Sequence, residues 1–278
     1  MRLARTVAEL SEALEDVRQA GAPLGLVPTM GAFHDGHLAL MRAARQTGDA
    51  VVVSLFVNPA QFGPGDDLDR YPRDQERDAE LAIGAEVSVL FIPSVDEMYP
   101  PGFDTHVEPG ALATVLEGEA RPGHFRGVAT VCTWLFGLVR PVRAYFGRKD
   151  AQQVAVIRQV VRDLALGVEI VAVPTVRDAD GLALSSRNVV LSESERGAAL
   201  ALPRALEAGL HVHRSGGSGE QTLAAGRQLL EAESRLKVDY VALADLDGPT
   251  LAAAARVGST RLIDNVLLTQ TDDAGGPG

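Results

Sequence analysis

Residues 27–37 read VPTMGAFHDGH. Two imidazoles, His34 and His37, stand three apart, with Asp35 and Gly36 between them. An apolar run leads into this stretch and a helical pattern, LALMRAARQ, leads out of it. That order puts His37 at a helix start, where unpaired N–H groups and the helix dipole favour phosphate. His34 is expected to point from the loop toward the same space. Gly31 and Gly36 allow tight turns and close approach of backbone to a ligand. A zinc site needs at least one further ligand of fitting geometry, and no Cys or His cluster supplies it. Spacing alone leaves ordinary surface or core histidines open beside the anion site.

Four more stretches carry chemistry. In FVNPAQFGP (56–64), Asn58 and Gln61 both donate and accept hydrogen bonds, which suits a hydroxyl- or carboxylate-bearing small molecule. An ordinary Asn-Pro turn is the alternative. In YFGRKDAQQ (145–153), Gly147 permits a turn, Asp150 is a natural N-cap and Gln153 follows one turn on. Arg148 and Lys149 crowd the positive end of that helix, which is disfavoured unless an anion joins them. ARPGHFRGV (120–128) packs Arg121, His124 and Arg126 among glycines, as a loop that could grip an anion. DADGLALSSRN (178–188) offers the hydroxyls of Ser185 and Ser186 and the fork of Arg187 to a phosphate. The acidic residues nearest these loops, Asp66, Asp67 and Asp78, show no metal-coordinating spacing, so the metal ligands stay unknown.

The elements that position these residues follow from hydrophobic pattern. Five continuous apolar runs read as strands buried on both faces: 24–28, 50–57, 87–93, 142–147 and 168–174. Helical patterns over 37–47, 74–84, 125–139 and 150–165 separate them. Residues 1–20 read as an amphipathic helix and not as a signal peptide. Strand–helix alternation implies an α/β, Rossmann-like, doubly wound parallel sheet over residues 1–176. In such a sheet ligands bind beyond the carboxyl ends of the strands, where these loops lie. Residues 177–278 form a smaller α+β domain, with helices over 192–210 and 220–234 and strands over 238–246 and 261–270. HRSGGSGEQ between the helices reads as a flexible loop, and 271–278 as a disordered tail.

Composition narrows the function classes. With 278 residues and a formal charge of −11, a uniform nucleic-acid-binding surface is not expected. The single cysteine, Cys132, rules out an intrachain disulfide framework and reads as a core residue. The apolar runs are too short and interrupted to span a bilayer, so a cytoplasmic protein with no membrane partner is expected.

Taken in order, VPTMGAFHDGHLAL, FVNPAQFGPGDDLDRYPR, RPGHFRGVATV, FGRKDAQQVAVIRQVV, VPTVRDADGLALSSRN and TRLIDN resemble the pantoate–β-alanine ligase family over nearly the whole chain. This is a branch of the nucleotidyltransferases with a His-x-Gly-His motif. The resemblance implies two steps: ATP and pantoate give a bound pantoyl adenylate and pyrophosphate, then the amine of β-alanine displaces AMP. It implies that Met30, Gly31, His34 and His37 line the ATP site, with His37 as proton donor. Gly147, Arg148, Lys149, Asp150, Val176, Leu184, Ser185, Ser186 and Arg187 would contact the nucleotide. Gln61 would contact pantoate and β-alanine, and Gln153 pantoate, with Asn58 beside them as a neutral reader. Mg²⁺ would accompany ATP as substrate, with no tightly bound organic cofactor. The resemblance further implies a homodimer whose C-terminal domain closes over the site. The chain departs from the family pattern at Arg148 (usually Glu), Ala151 (aromatic), Leu184 and Ala60 (Met), and Trp134 (Lys). Two other expectations compete: adenylation of a different small carboxylate, and a nucleotide-binding paralogue with impaired catalysis.

Overall fold

The computed structural model describes residues 1–63 and 68–269. Asp66, Asp67 and the tail 271–278 lie outside the described residues. The chain divides into two compact units, Met1–Val176 and Arg177–Gly278.

The first unit runs β1 (Arg2–Ala4), α1 (Val7–Gln19), β2 (Leu24–Thr29), α2 (Asp35–Gln46), β3 (Ala50–Leu55), α3 (Gln75–Gly84), β4 (Val89–Phe91), α4 (Val95–Met98), α5 (Glu117–Ala120), α6 (His124–Val139), β5 (Arg143–Gly147), α7 (Ala151–Asp163) and β6 (Glu169–Val173). The sheet order is β1-β4-β3-β2-β5-β6, and every pairing is parallel. Alternate strand residues feed two cores, as the period of a strand requires. Leu26, Val52, Val89, Phe91, Ala144 and Phe146 pack with residues of α1, α6 and α7. Val27, Val51, Val53, Leu90 and Tyr145 pack with residues of α2 and α3. Burial on both faces explains the unbroken apolar runs. Strand order reverses between β2 and β5, so the loops leaving these two strands flank the crevice where such sheets bind ligands.

The amino-terminal reading needs correction. Residues 2–4 are not helical; they form β1, paired with β4 in register Arg2↔Val89. The helix begins after Thr6, whose hydroxyl accepts from the Glu9 backbone N–H while the Glu9 carboxylate accepts from the Thr6 N–H.

The amino edge of the sheet holds a closed polar network. The buried Asp49 carboxylate accepts from Arg143 Nη1 at 2.6 Å and from the Tyr145 hydroxyl at 2.6 Å. Thr47 Oγ1 lies 2.5 Å from that hydroxyl. Burial and the Asp49 hydrogen bond push the Tyr145 phenol up to about 12.

In the second unit α8 (Glu193–Ala199), α9 (Ala201–Arg214) and α10 (Gly219–Ala232) precede an antiparallel sheet of β7 (Leu236–Asp245), β8 (Pro249–Val257) and β9 (Thr260–Leu267), in order β7-β8-β9. The single helix expected over 192–210 is broken at Leu200, because Pro203 has no N–H to bond the carbonyl one turn back. The expected flexible loop shrinks to four residues, since α9 runs on to Arg214 and Ser218 caps α10. The central strand β8 has no counterpart among the expected strands. Its run Ala252–Ala255 has low strand propensity, yet it is buried and paired on both sides.

Candidate active site at the carboxyl edge of the parallel sheet

The loop after β2 is built around its backbone. Gly31 takes φ +85°, a conformation that favours glycine, and Ala32 follows at φ +53°. The buried Asp78 carboxylate of α3 accepts from the Ala32 N–H at 2.8 Å and the Phe33 N–H at 2.7 Å. Burial raises the Asp78 pKa, and these two N–H groups oppose that shift. Asp78 therefore anchors the loop with both oxygens engaged. It is not an open metal ligand, and among the described residues no group of three or more His, Cys, Asp or Glu is arranged to hold a metal ion.

His34 and His37 cap α2 reciprocally. His34 is the N-cap, and its Nδ1 accepts from the Gly36 N–H at 3.1 Å. His37 Nδ1 accepts from the His34 backbone N–H at 3.3 Å. This is the geometry usually made by Ser or Thr with Glu or Gln. Gly36 serves it directly, since a Cβ there would lie 2.8 Å from the His34 ring. An Nδ1 that accepts from backbone carries no proton, so each neutral ring holds its hydrogen on Nε2. The two rings stand 4.2 Å apart. Burial, with His34 and Lys149 adding repulsion, pushes His37 down to about 3, while Asp150 acts in the opposite sense. In the resting protein His37 is thus a neutral hydrogen-bond donor and not an imidazolium.

Asp150 and Lys149 influence His37 electrostatically, so the loop after β5 shares its neighbourhood. Residues Arg148–Asp150 form a 3₁₀ turn that runs into α7. Asp150 occupies the N-cap position without a side-chain capping bond, contrary to expectation. Its carboxylate lies 3.5 Å from Lys149 Nζ and also favours the charged form of His124. Gly147 has an ordinary φ of −74° and open space where a Cβ would stand, so this turn does not itself require glycine. Gln153 is half-buried on the first turn of α7. Its neighbour Gln152 is buried and fully engaged: Nε2 donates to the carbonyls of Leu112 and Val115, each at 2.8 Å, and Oε1 accepts from the Glu117 N–H at 3.0 Å.

The loop after β3 corrects the reading of Asn58. Its amide is wholly used inside the protein. Nδ2 donates to Gln61 Oε1 and to the Gly127 carbonyl, each at 3.1 Å. Oδ1 accepts from the Ala60 N–H at 3.2 Å and the Tyr99 hydroxyl at 2.8 Å. Asn58 positions Gln61 and leaves no donor for a ligand. Gln61 is buried with Nε2 3.2 Å from Met30 Sδ, which brings the loops after β2 and β3 together.

The Arg121–Arg126 stretch is also corrected. Arg121 ends α5 and His124 begins α6, and both turn inward to Gln61. Its carbonyl accepts from His124 Nδ1 at 2.9 Å and Arg121 Nη2 at 3.3 Å, while Arg121 Nη1 approaches His124 Nε2 at 3.3 Å. Burial and Arg121 push His124 down to about 4. Gly127 makes this packing feasible, because a Cβ there would fall 2.3 Å from the Ala60 carbonyl oxygen. Trp134, further along α6, packs against the core of the first unit. Sequence reasoning missed the roles of Asp78, Tyr99 and Gln152; the glycine three residues after His124 was the one local signal for a close approach.

In the second unit Ser185 caps the turn Ser186–Val190 by accepting from the Arg187 N–H at 3.2 Å. Asn188 Nδ2 donates to the Ala183 carbonyl at 2.9 Å. Below it, Arg177 makes a two-pronged ion pair with the buried Asp264 of β9, at 2.6 and 3.0 Å. Leu184 is half-buried, and Val176 ends the first unit.

The family model described as Pantoate-beta-alanine ligase matches residues 2–267. The pantothenate synthetase of Moorella thermoacetica is 50% identical, over 98% of this chain and 100% of its own length. Pantothenate synthetase 1 of Bradyrhizobium diazoefficiens is 54% identical, over 97% and 99%. The crystal structure of pantothenate synthetase from Thermus thermophilus superposes with a TM-score of 0.92 at 50% identity, covering 97% of this chain and 100% of that one. The ligase of Francisella tularensis, complexed with β,γ-ATP and β-alanine, gives 0.80 at 34% identity, over 96% and 98%. Across nearly its whole length, then, the chain belongs to the pantoate–β-alanine ligase family.

Proposed function

We propose that this chain condenses pantoate with β-alanine, driven by ATP, through a pantoyl adenylate. A pantoate carboxylate oxygen attacks the α-phosphorus, and the bond to the bridging oxygen of pyrophosphate breaks. The β-alanine amine then attacks the acyl carbon, loses a proton and displaces AMP. The first step needs no general base, because pantoate is ionised at neutral pH. It needs the negative charges held together and in line. The observation that carries this reading is the reciprocal cap in which His34 and His37 each spend Nδ1 on a backbone N–H at the switch point, with Lys149 in the same field.

In this reading Met30, Gly31, His34, His37 and Gly147–Asp150 receive ATP, and Gln61 and Gln153 receive pantoate. His37 acts as a neutral donor in the resting state, and the arriving triphosphate favours its charged form. Val176 and Leu184–Arg187 also contact the nucleotide in this reading. Mg²⁺ would enter with ATP as part of the substrate and would help neutralise the phosphate charge. The protein works in the cytoplasm as a homodimer, which sedimentation at catalytic concentration tests. No helix among the described residues is long and apolar enough to cross a membrane.

The deciding experiment measures AMP release from Mg·ATP with pantoate and β-alanine, each omitted in turn. Release that requires both is expected. Failure to adenylate pantoate would overturn the proposal, and other small carboxylates would then be screened. Pyrophosphate exchange without AMP release would locate a defect in the second step.

A further inference from the structure

The orientation of the Gln61 amide is dictated from outside the substrate site. The Ala60 N–H can only donate, so the atom of Asn58 that it meets is Oδ1. The Gly127 carbonyl can only accept, so its partner is Nδ2. The second hydrogen of Nδ2 goes to Gln61, which must therefore turn Oε1 inward. That leaves Gln61 Nε2 on the Met30 side, as a donor. The Tyr99 hydroxyl adds the other bond to Asn58 Oδ1, at 2.8 Å. Tyr99 follows the short helix after β4 and is gripped by Phe56 and Phe103, with ring centroids 6.0 and 5.0 Å away. Burial pushes its phenol up to about 12, so it remains a donor at neutral pH.

We infer that Tyr99 is a positioning residue for the substrate acid: through Asn58 it holds the Gln61 amide with its donor end toward the substrate, so the position selects an acceptor oxygen. This rests on the function proposed above for Gln61. Tyr99 touches no substrate itself. Gln61 can then read a carboxylate or hydroxyl lone pair and disfavours a substrate that presents a hydrogen there.

The test is steady-state kinetics of Tyr99→Phe on the full chain, varying pantoate and ATP separately. The pantoate KM should rise about 3- to 10-fold, as expected for one lost hydrogen bond. The ATP KM and the unfolding temperature should stay near wild type. Asn58→Asp, which cannot donate to Gln61, should raise the pantoate KM by a larger factor. An unchanged pantoate KM in Tyr99→Phe overturns the inference. So does an equal rise in both KM values, which marks general loosening. Hydrogen exchange of the Asn58 side-chain amide, followed by ¹⁵N NMR without substrates, gives a readout independent of turnover. Faster exchange in Tyr99→Phe supports the relay and unchanged exchange refutes it. A wild-type protein that fails to use pantoate would count against the proposed function, while this exchange measurement would still decide the relay.

Discussion

The two edges of the parallel sheet use similar groups in opposite ways. At the amino edge, Asp49, Arg143, Tyr145 and Thr47 satisfy one another in a closed ring of short contacts. At the carboxyl edge Asn58 and Gln152 are also used at both ends, but the histidine pair and Gln61 spend an acceptor on the protein and carry a donor at the opposite end. His34 and His37 use Nδ1 on the helix and keep the proton on Nε2. Gln61 uses Oε1 on Asn58 and keeps Nε2. Buried polarity alone therefore does not mark a site. What marks it is a group pinned at one end whose other end can still donate.

Perturbing each edge should separate the two designs. The largest expected effect is on rate: His37→Ala should slow adenylation about a hundred- to a thousandfold, measured as pantoate-dependent pyrophosphate exchange. A near-wild-type rate would remove the distinction between the edges. Next is Arg143→Ala, which strips the cation from the buried Asp49. It should cost about 3 kcal/mol of stability in denaturant unfolding while leaving KM values unchanged; altered KM values with intact stability would reverse the assignment. Gly127→Ala tests the boundary between packing and chemistry. The added methyl meets the backbone of Ala60 and Gln61, so about 1–3 kcal/mol of stability should be lost together with pantoate affinity. If stability falls with no change in pantoate KM, the turn does not position the substrate.

The smallest expected effect is a pH dependence. His37 and His124 have folded pKa values of about 3 and about 4, against about 6.5 in the unfolded chain. The unfolded state therefore takes up protons first as pH falls. Stability should decline on acidification from about pH 6.5 toward 4 and be fully present above that window. The exposed carboxylates with lowered values, such as Glu233 at about 2 against 4.5, contribute only as pH falls below about 4.5. His124→Gln should thus flatten the curve between pH 6.5 and 4.5 in thermal unfolding. An unchanged slope would show that His124 is not held neutral.

The parallel sheet was legible because its strands are buried on both faces, which leaves uninterrupted apolar runs. The loops that follow those strands were legible for the same reason. β1 was hidden because three residues beside a long amphipathic helix carry no period of their own. β8 was hidden because alanines become a strand there only through partners on both sides. Within the site, the histidine pair, Lys149 and Gln61 could be singled out from residue type and place in the loops. The inward turn of Asn58, Arg121 and His124 could not, because it depends on which backbone groups meet them. Asp78 illustrates the limit: its partners Ala32 and Phe33 lie more than forty residues away and offer only N–H groups that any residue has.

The double-histidine cap on α2 also narrows which substitutions the chain can tolerate. A serine–glutamate pair would start the helix equally well but would lack a ring nitrogen donor. A lysine would offer a cation but could not accept from the backbone. A small rigid ring with an acceptor on one side and a donor on another does both, so the helix start draws on Nδ1 and the proposed chemistry on Nε2 of the same side chain. Mutational drift at these positions therefore meets two independent filters at once. Their activity losses can be compared with those at other positions only after the helix start has been restored by a second change.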